Sequence, residues 1–168
     1  MKHWARILIG CGAALFQPPA HADKFENLYL AFNMPDGWGC KLEGTEFVCR
    51  PNKGQAKKEA VIIMAAKEAG PQDTLSGYTS HLNARPENGK IVQPATQVVI
   101  NGTVWVDGLQ LGSEVKNYYT RYAGTVENGV AVLFTMSAHQ NYYEKHIGAF
   151  TLALHSLKLK PVKIDPNR

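Results

Sequence analysis

The sequence predicts an α+β domain, an antiparallel β-sheet covered by helices, and three patterns carry that prediction. Asn101-Gly102 and Asn128-Gly129 each sit between β-prone runs. This is the strongest short hairpin signal, because both central residues of a type I′ turn need positive φ. Tyr143, Ile147, Phe150, Leu154 and Leu157 recur at spacings of four and three, a continuous helical stripe suited to packing on a sheet. The order strand, hairpin, strand, helix, two hairpins, helix then fits helices laid on the faces of one antiparallel sheet.

At 168 residues, 45% of them hydrophobic, the chain has the size and apolar content of one well-packed domain. Three regions are expected: residues 1–22 as a signal peptide, 23–160 as a single domain and 161–168 as a loose tail. Lys2 and Arg6 form a positive n-region and residues 7–16 an apolar h-region. Ala20-His21-Ala22 gives a small-x-small cleavage site. The mature protein then begins at Asp23 and is periplasmic or secreted. A rival pattern is Leu8-Ile9-Gly10-Cys11, a lipobox in which a lipidated Cys11 would anchor the protein to a membrane. The apolar run is too short for an ordinary transmembrane helix, so no membrane span is expected in the mature chain. Loss of Lys2 and Arg6 takes the net charge from +4 to +2. That balance gives no reason to expect a nucleic-acid partner.

Along the mature chain, Leu28–Phe32 is expected as a strand with Leu28, Leu30 and Phe32 on one face. Met34-Pro35-Asp36-Gly37-Trp38 follows as a turn, with Pro fixing φ and Asp-Gly supplying the bend. Residues 40–43 and 46–50 form a hairpin about Gly44-Thr45 in which Cys40 faces Cys49. A four-residue loop would preserve that register. Two cysteines in an exported chain favour a disulfide, and Cys40 and Cys49 are assigned to it. Residues 51–58 form a lysine-bearing loop, and the Val-Ile-Ile core of residues 60–66 argues for a strand. Asp73 or Thr74 caps a helix with Leu75, Tyr78 and Leu82 on one face, ended by Arg85-Pro86.

In the two Asn-Gly hairpins Ile100 should face Thr103 and Val98 face Trp105, while Val126 faces Ala131 and Ala123 faces Phe134. Val98–Ile100 and Val130–Phe134 are apolar on both faces, which predicts mid-sheet strands covered above and below. Ser137-x-x-Gln140 or Asn141-x-x-Glu144 is the expected capping box of the last helix.

The run Phe32–Trp38, the short hairpin, the helix, the long Asn-Gly strands and the closing Leu154-His155-Ser156-Leu157-Lys158 together resemble the PsbP/Mog1-like superfamily. Its bacterial members include DcrB-type envelope proteins. The resemblance covers roughly residues 28–160 and implies an α/β/α sandwich serving as a binding or assembly module, with no shared catalytic set to carry over.

No nucleophile elbow, phosphate loop or metal-ligand spacing is present, so no catalytic residue, metal ligand or cofactor is assigned. His139 and His146, placed seven apart on the last helix, lack the three- or four-residue spacing of zinc ligands and read as surface or boundary residues. Trp38, Tyr118, Tyr119 and Tyr122 are the candidate protein-binding residues, since Tyr and Trp combine an apolar body with a hydrogen-bonding end. Tyr118 and Tyr119, being adjacent on a strand, must point to opposite faces. The expected function is non-catalytic engagement of another envelope or secreted protein. The alternative is an envelope metal-binding protein or hydrolytic enzyme that uses its histidines.

Overall fold

The computed structural model describes residues 23–84 and 86–162; the signal-peptide pattern, Cys11, Arg85 and residues 163–168 lie outside them. Among the described residues, ten strands form two antiparallel sheets. The strands are β1 (Lys24–Glu26), β2 (Leu30–Asn33), β3 (Trp38–Glu43), β4 (Glu46–Pro51), β5 (Ala60–Glu68), β6 (Lys90–Ile100), β7 (Thr103–Leu111), β8 (Tyr118–Glu127), β9 (Val130–His139) and β10 (Lys158–Leu159). Helix α1 (Leu75–Asn83) lies between β5 and β6, and α2 (Tyr143–Ser156) between β9 and β10. The main sheet has the order β3-β4-β5-β9-β8-β7-β6, and a small sheet has the order β1-β2-β10.

Short-range turn chemistry sets the hairpins. Asn101 and Asn128 adopt positive φ, as a type I′ turn demands. The predicted pairs Val98↔Trp105, Ile100↔Thr103, Ala123↔Phe134 and Val126↔Ala131 are all present. The first hairpin turns in two residues, with Glu43 opposite Glu46 and Cys40 opposite Cys49. Arg50 bonds the Glu43 carboxylate at 2.8 Å, which offsets the like charges across the turn. Cys40 and Cys49 are disulfide-bonded with Cα atoms 3.9 Å apart.

Alternation along β9, the central strand, sorts the sheet into two faces. Val130, Val132, Phe134, Met136 and Ala138 join Phe150, Ala153 and Leu154 of α2, and Leu30 and Phe32 of β2, in the main core. The opposite face carries a second cluster of Leu82, Ala95, Val106 and Tyr122, with Leu75, Tyr78 and Leu133 packed against it. Thr74 caps α1, its Oγ1 accepting from the Gly77 amide at 3.0 Å. Gly124 is required beneath α1, because a Cβ there would come within 2.7 Å of the Tyr78 ring.

Four expectations change. Of the two strands expected mid-sheet, β9 is central but β6 is an edge, with Val99 71% exposed; the far end of this hairpin lies beyond the cover of α1. Pro94 and two register shifts interrupt β6, devices that blunt a sheet edge. The strand expected over Leu28–Phe32 is β2 and begins at Leu30, because the Asn27 side chain accepts from the Tyr29 and Leu30 amides and leaves Leu28 74% exposed. That strand belongs to the small sheet. Neither capping box forms: Ser137 is buried in β9, bonded to Thr120 Oγ1 at 2.9 Å, and Tyr142 takes the N-cap position without a side-chain bond. His139 and His146 do not share a helix, since His139 ends β9. Of the segment expected as a tail, the Val162 amide donates to Asn128 O at 3.4 Å.

Candidate binding cleft

Where β5 begins and β9 ends, one carboxylate takes two side chains from α2. Gly54, at positive φ, opens a 3₁₀ turn over Gly54–Lys58 that delivers Glu59 to the head of β5. From α2, Lys145 Nζ reaches Glu59 Oε2 at 2.5 Å and His146 Nε2 reaches the same oxygen at 3.0 Å. Their hydrogen bonds lower the Glu59 carboxyl below its ordinary value, Lys145 most and then His146, because hydrogen bonds to the ionised form favour it. His146 is 6% exposed and packs edge-on against Trp38, ring centroids 5.9 Å apart. The reading of His146 as a surface or boundary residue is therefore corrected. It is a core residue, and its partner lies 87 positions away in sequence.

Beside this cluster opens a cleft of about 310 Å³ lined by Gln55, Lys58, Glu59, Tyr118, His139, Asn141 and Tyr142. Its walls are built by backbone bonds. The His139 amide donates to Glu59 O at 2.9 Å, Gln140 to Asn117 O at 2.8 Å and Tyr142 to His139 O at 2.8 Å. Tyr118 donates its hydroxyl to Lys58 O at 2.7 Å, fixing the ring against the 3₁₀ turn. Tyr118 and His139 meet edge to face at 5.3 Å, and His139 lies 5.9 Å from Tyr142. His139 Nδ1 accepts from the Asn141 amide at 3.3 Å. The result is a half-open aromatic wall with Tyr142 42% exposed.

The four aromatic candidates do not come together. Tyr118 lines the cleft, while Tyr119 points to the opposite face, as adjacency requires, and packs on Tyr143 at 5.0 Å. Trp38 is only 5% exposed and Tyr122 is equally buried. The Tyr122 hydroxyl donates to Glu114 Oε1 at 2.6 Å and lies 3.1 Å from Ser113 Oγ; burial, then that carboxylate, raises its pKa. It borders a separate hollow of about 220 Å³ with His81, Gln110 and Glu114. Residue-by-residue reading missed Glu59, Lys145 and Tyr142, since only the meeting of β5 with β9 brings them together. Among the described residues, no group of three or more His, Cys, Asp or Glu side chains converges as a metal site would need. No helix among them is long and apolar enough to cross a membrane.

The fold has counterparts among solved structures. Cyanobacterial PsbP from Synechocystis sp. PCC 6803 superposes with a TM-score of 0.59 at 14% identity, over 89% of this chain and 99% of that one. LpqN of Mycobacterium tuberculosis, involved in cell envelope biogenesis, gives a TM-score of 0.56 at 11% identity, over 79% and 83%. The Ran-binding protein Mog1p of Saccharomyces cerevisiae gives 0.54 at 10% identity, over 83% and 97%. The sequence matches no family model and no curated protein.

Proposed function

We infer that this chain, which has the PsbP/Mog1-like fold, works as an exported, non-catalytic module that binds another protein of the cell envelope or a secreted protein. The observation that carries the reading is the cleft wall of Tyr118, His139 and Tyr142, aromatic and half-exposed on a rigid sheet. Rigid aromatics offer apolar contact area at small entropic cost. Mog1p is a Ran-binding protein and LpqN takes part in cell envelope biogenesis, two roles that accord with a binding scaffold. Export is supported by the n-, h- and c-regions of residues 1–22 and by the Cys40–Cys49 disulfide, a bond at home in oxidising compartments.

The test uses the mature protein as bait in an extract of its native envelope. Tyr142→Ala should weaken capture of a specific protein by at least about 2 kcal/mol, the cost of losing a true anchor, with the thermal midpoint almost unchanged. Equal capture by Tyr142→Ala and Tyr118→Phe variants would remove the cleft from the interface. Stoichiometric zinc or copper in the purified protein, lost on His139→Ala, would support the histidine-based alternative instead.

A further inference from the structure

The hollow beside Tyr122 stands apart from the cleft, since Tyr122 lies about 13 Å from Tyr118 along β8. Backbone bonds build its rim. The Gly112 amide donates to Tyr118 O at 2.9 Å and the Tyr118 amide to Val115 O at 3.0 Å, closing the turn that presents Ser113 and Glu114. Gly89 lets the approach to β6 pass close by, because a Cβ there would lie 2.6 Å from Leu111 O and 2.7 Å from the Ser113 amide nitrogen. Opposite stands the C-terminal end of α1, where Leu82, Ala84 and Pro86 give an apolar wall.

The polar groups lining this space are acceptors. Glu114 Oε1 takes the Tyr122 hydroxyl at 2.6 Å, and Ser113 Oγ lies 3.1 Å from the same hydroxyl. Gln110 is only 6% exposed, and its Nε2 donates to Leu82 O at 2.8 Å. Its Oε1 has no partner among the described residues, so its donor must come from whatever occupies the hollow. The exposed Glu87 adds a second carboxylate. Neither Glu87 nor Glu114 makes an ion pair among the described residues. Lys90 and Lys116, close to them in sequence, line no part of the hollow. The end of α1 contributes the negative pole of its dipole, which favours a cation.

We propose that this hollow binds an organic cation on an apolar stem, a guanidinium or primary ammonium of the arginine and lysine class. Such a head carries donors and no acceptor, the complement of Glu87, Glu114 and Gln110 Oε1. Its methylenes lie along Leu82, Ala84 and Pro86, as long basic side chains do on apolar surface. The hollow's volume of about 220 Å³, against about 30 Å³ for one water in the liquid, has room for a whole side chain. Among the described residues no three His, Cys, Asp or Glu side chains converge there to hold a metal ion instead. The inference is independent of the protein-binding reading, because it uses neither Tyr118 nor Tyr142.

The experiment follows the amide NMR spectrum of the isotope-labelled mature chain during three titrations. The probes are N-acetyl-arginine amide, N-acetyl-citrulline amide, which keeps the shape without the charge, and calcium chloride. The arginine amide should shift the Leu82, Ser113 and Glu114 amides saturably and leave those of Gln55 and His139 in place. It should bind at least about tenfold more tightly than the citrulline amide. Glu87→Gln and Glu114→Gln should each weaken it, together about tenfold or more, and Tyr142→Ala should not. Glu87→Gln alters an exposed carboxylate that bonds no described side chain, so the comparison survives a Glu114→Gln variant that loosens Tyr122. A capped glycine peptide with one central arginine, bound as tightly as the amide, assigns the site to a partner's side chain. Agmatine bound more tightly than that peptide assigns it to a free amine, and both results keep the proposal. Equal binding of the citrulline and arginine amides, or tighter binding of calcium at the same amides, overturns it. So do shifts that never saturate, or an affinity unaltered in both glutamate variants. None of these failures touches capture through Tyr142, and loss of that capture leaves these titrations unchanged.

Discussion

Glu59 and Glu26 show how single carboxylates tie remote parts of this chain together. Lys160 and then Lys24 draw Glu26 down to about 2, and Glu59 is likewise lowered by Lys145 and His146. A carboxyl whose folded pKa is depressed stabilises the fold above its ordinary value near 4.5. That contribution disappears as pH falls through the folded value. Urea midpoints measured from about pH 7 down to about pH 2.5 should therefore decline below about pH 4.5. Glu59→Gln and Glu26→Gln should each lower the neutral midpoint and flatten the acid decline. An unchanged acid slope in both variants would show that these pairs contribute nothing. Phe150 is wholly buried between Trp38, Tyr143 and the sheet. Phe150→Ala should cost about 3–5 kcal/mol by equilibrium denaturation, with a loss below about 1 kcal/mol contradicting its place in the core.

The elements divide by the range of the forces that make them. The three hairpins were legible to the residue, because each register follows from two turn residues and their immediate neighbours. Helix α1 was legible with Asp73 or Thr74 as its cap; the structure uses Thr74, and Thr74→Ala should remove about 1 kcal/mol of stability. The closing helix was legible as a stripe, yet neither of its two candidate capping boxes forms: Ser137 is held in β9 by Thr120, a cross-strand bond no local pattern encodes, and Tyr142 rather than Asn141 takes the cap position. The same limit hid β1 and β10, whose three and two residues gain strand character only by pairing with β2. It also hid Glu59, an ordinary acid until β5 meets β9. The disulfide was legible as a register consequence. Cys40→Ser with Cys49→Ser should cost roughly 2–3 kcal/mol in the chain-entropy account, read as a lower urea midpoint; an unaltered midpoint would mean the hairpin holds without it.

For the whole molecule, the α+β class and the layered order of sheet and helices followed from the periodicities, whereas the half-covered face did not. Sequence alone could not say that α1 stops short of β5, because helix placement depends on where Tyr78 meets Gly124. Gly124→Ala should push α1 outward, lowering stability and raising amide hydrogen exchange across Leu75–Asn83; unchanged exchange would show that the contact yields without moving the helix. Export is tested by sequencing the N-terminus of the mature protein, where Asp23 is expected and a chain beginning at a lipidated Cys11 would contradict it.

The pairing of β5 with β9 along Ala60–Glu68 and Val130–His139 has a consequence for timing. Helix α1 and the β6–β8 meander lie between the two strands in the chain, so the centre of the sheet is assembled from segments that emerge far apart. Contacts of such high sequence separation fold slowly, on the order of milliseconds to seconds. A chain leaving the ribosome cannot close this sheet until His139 has been made. Until then β3, β4 and β5 have no central neighbour to lock them. The nascent protein thus stays threadable for most of its synthesis, the condition a polypeptide must keep if it is to pass a membrane before folding.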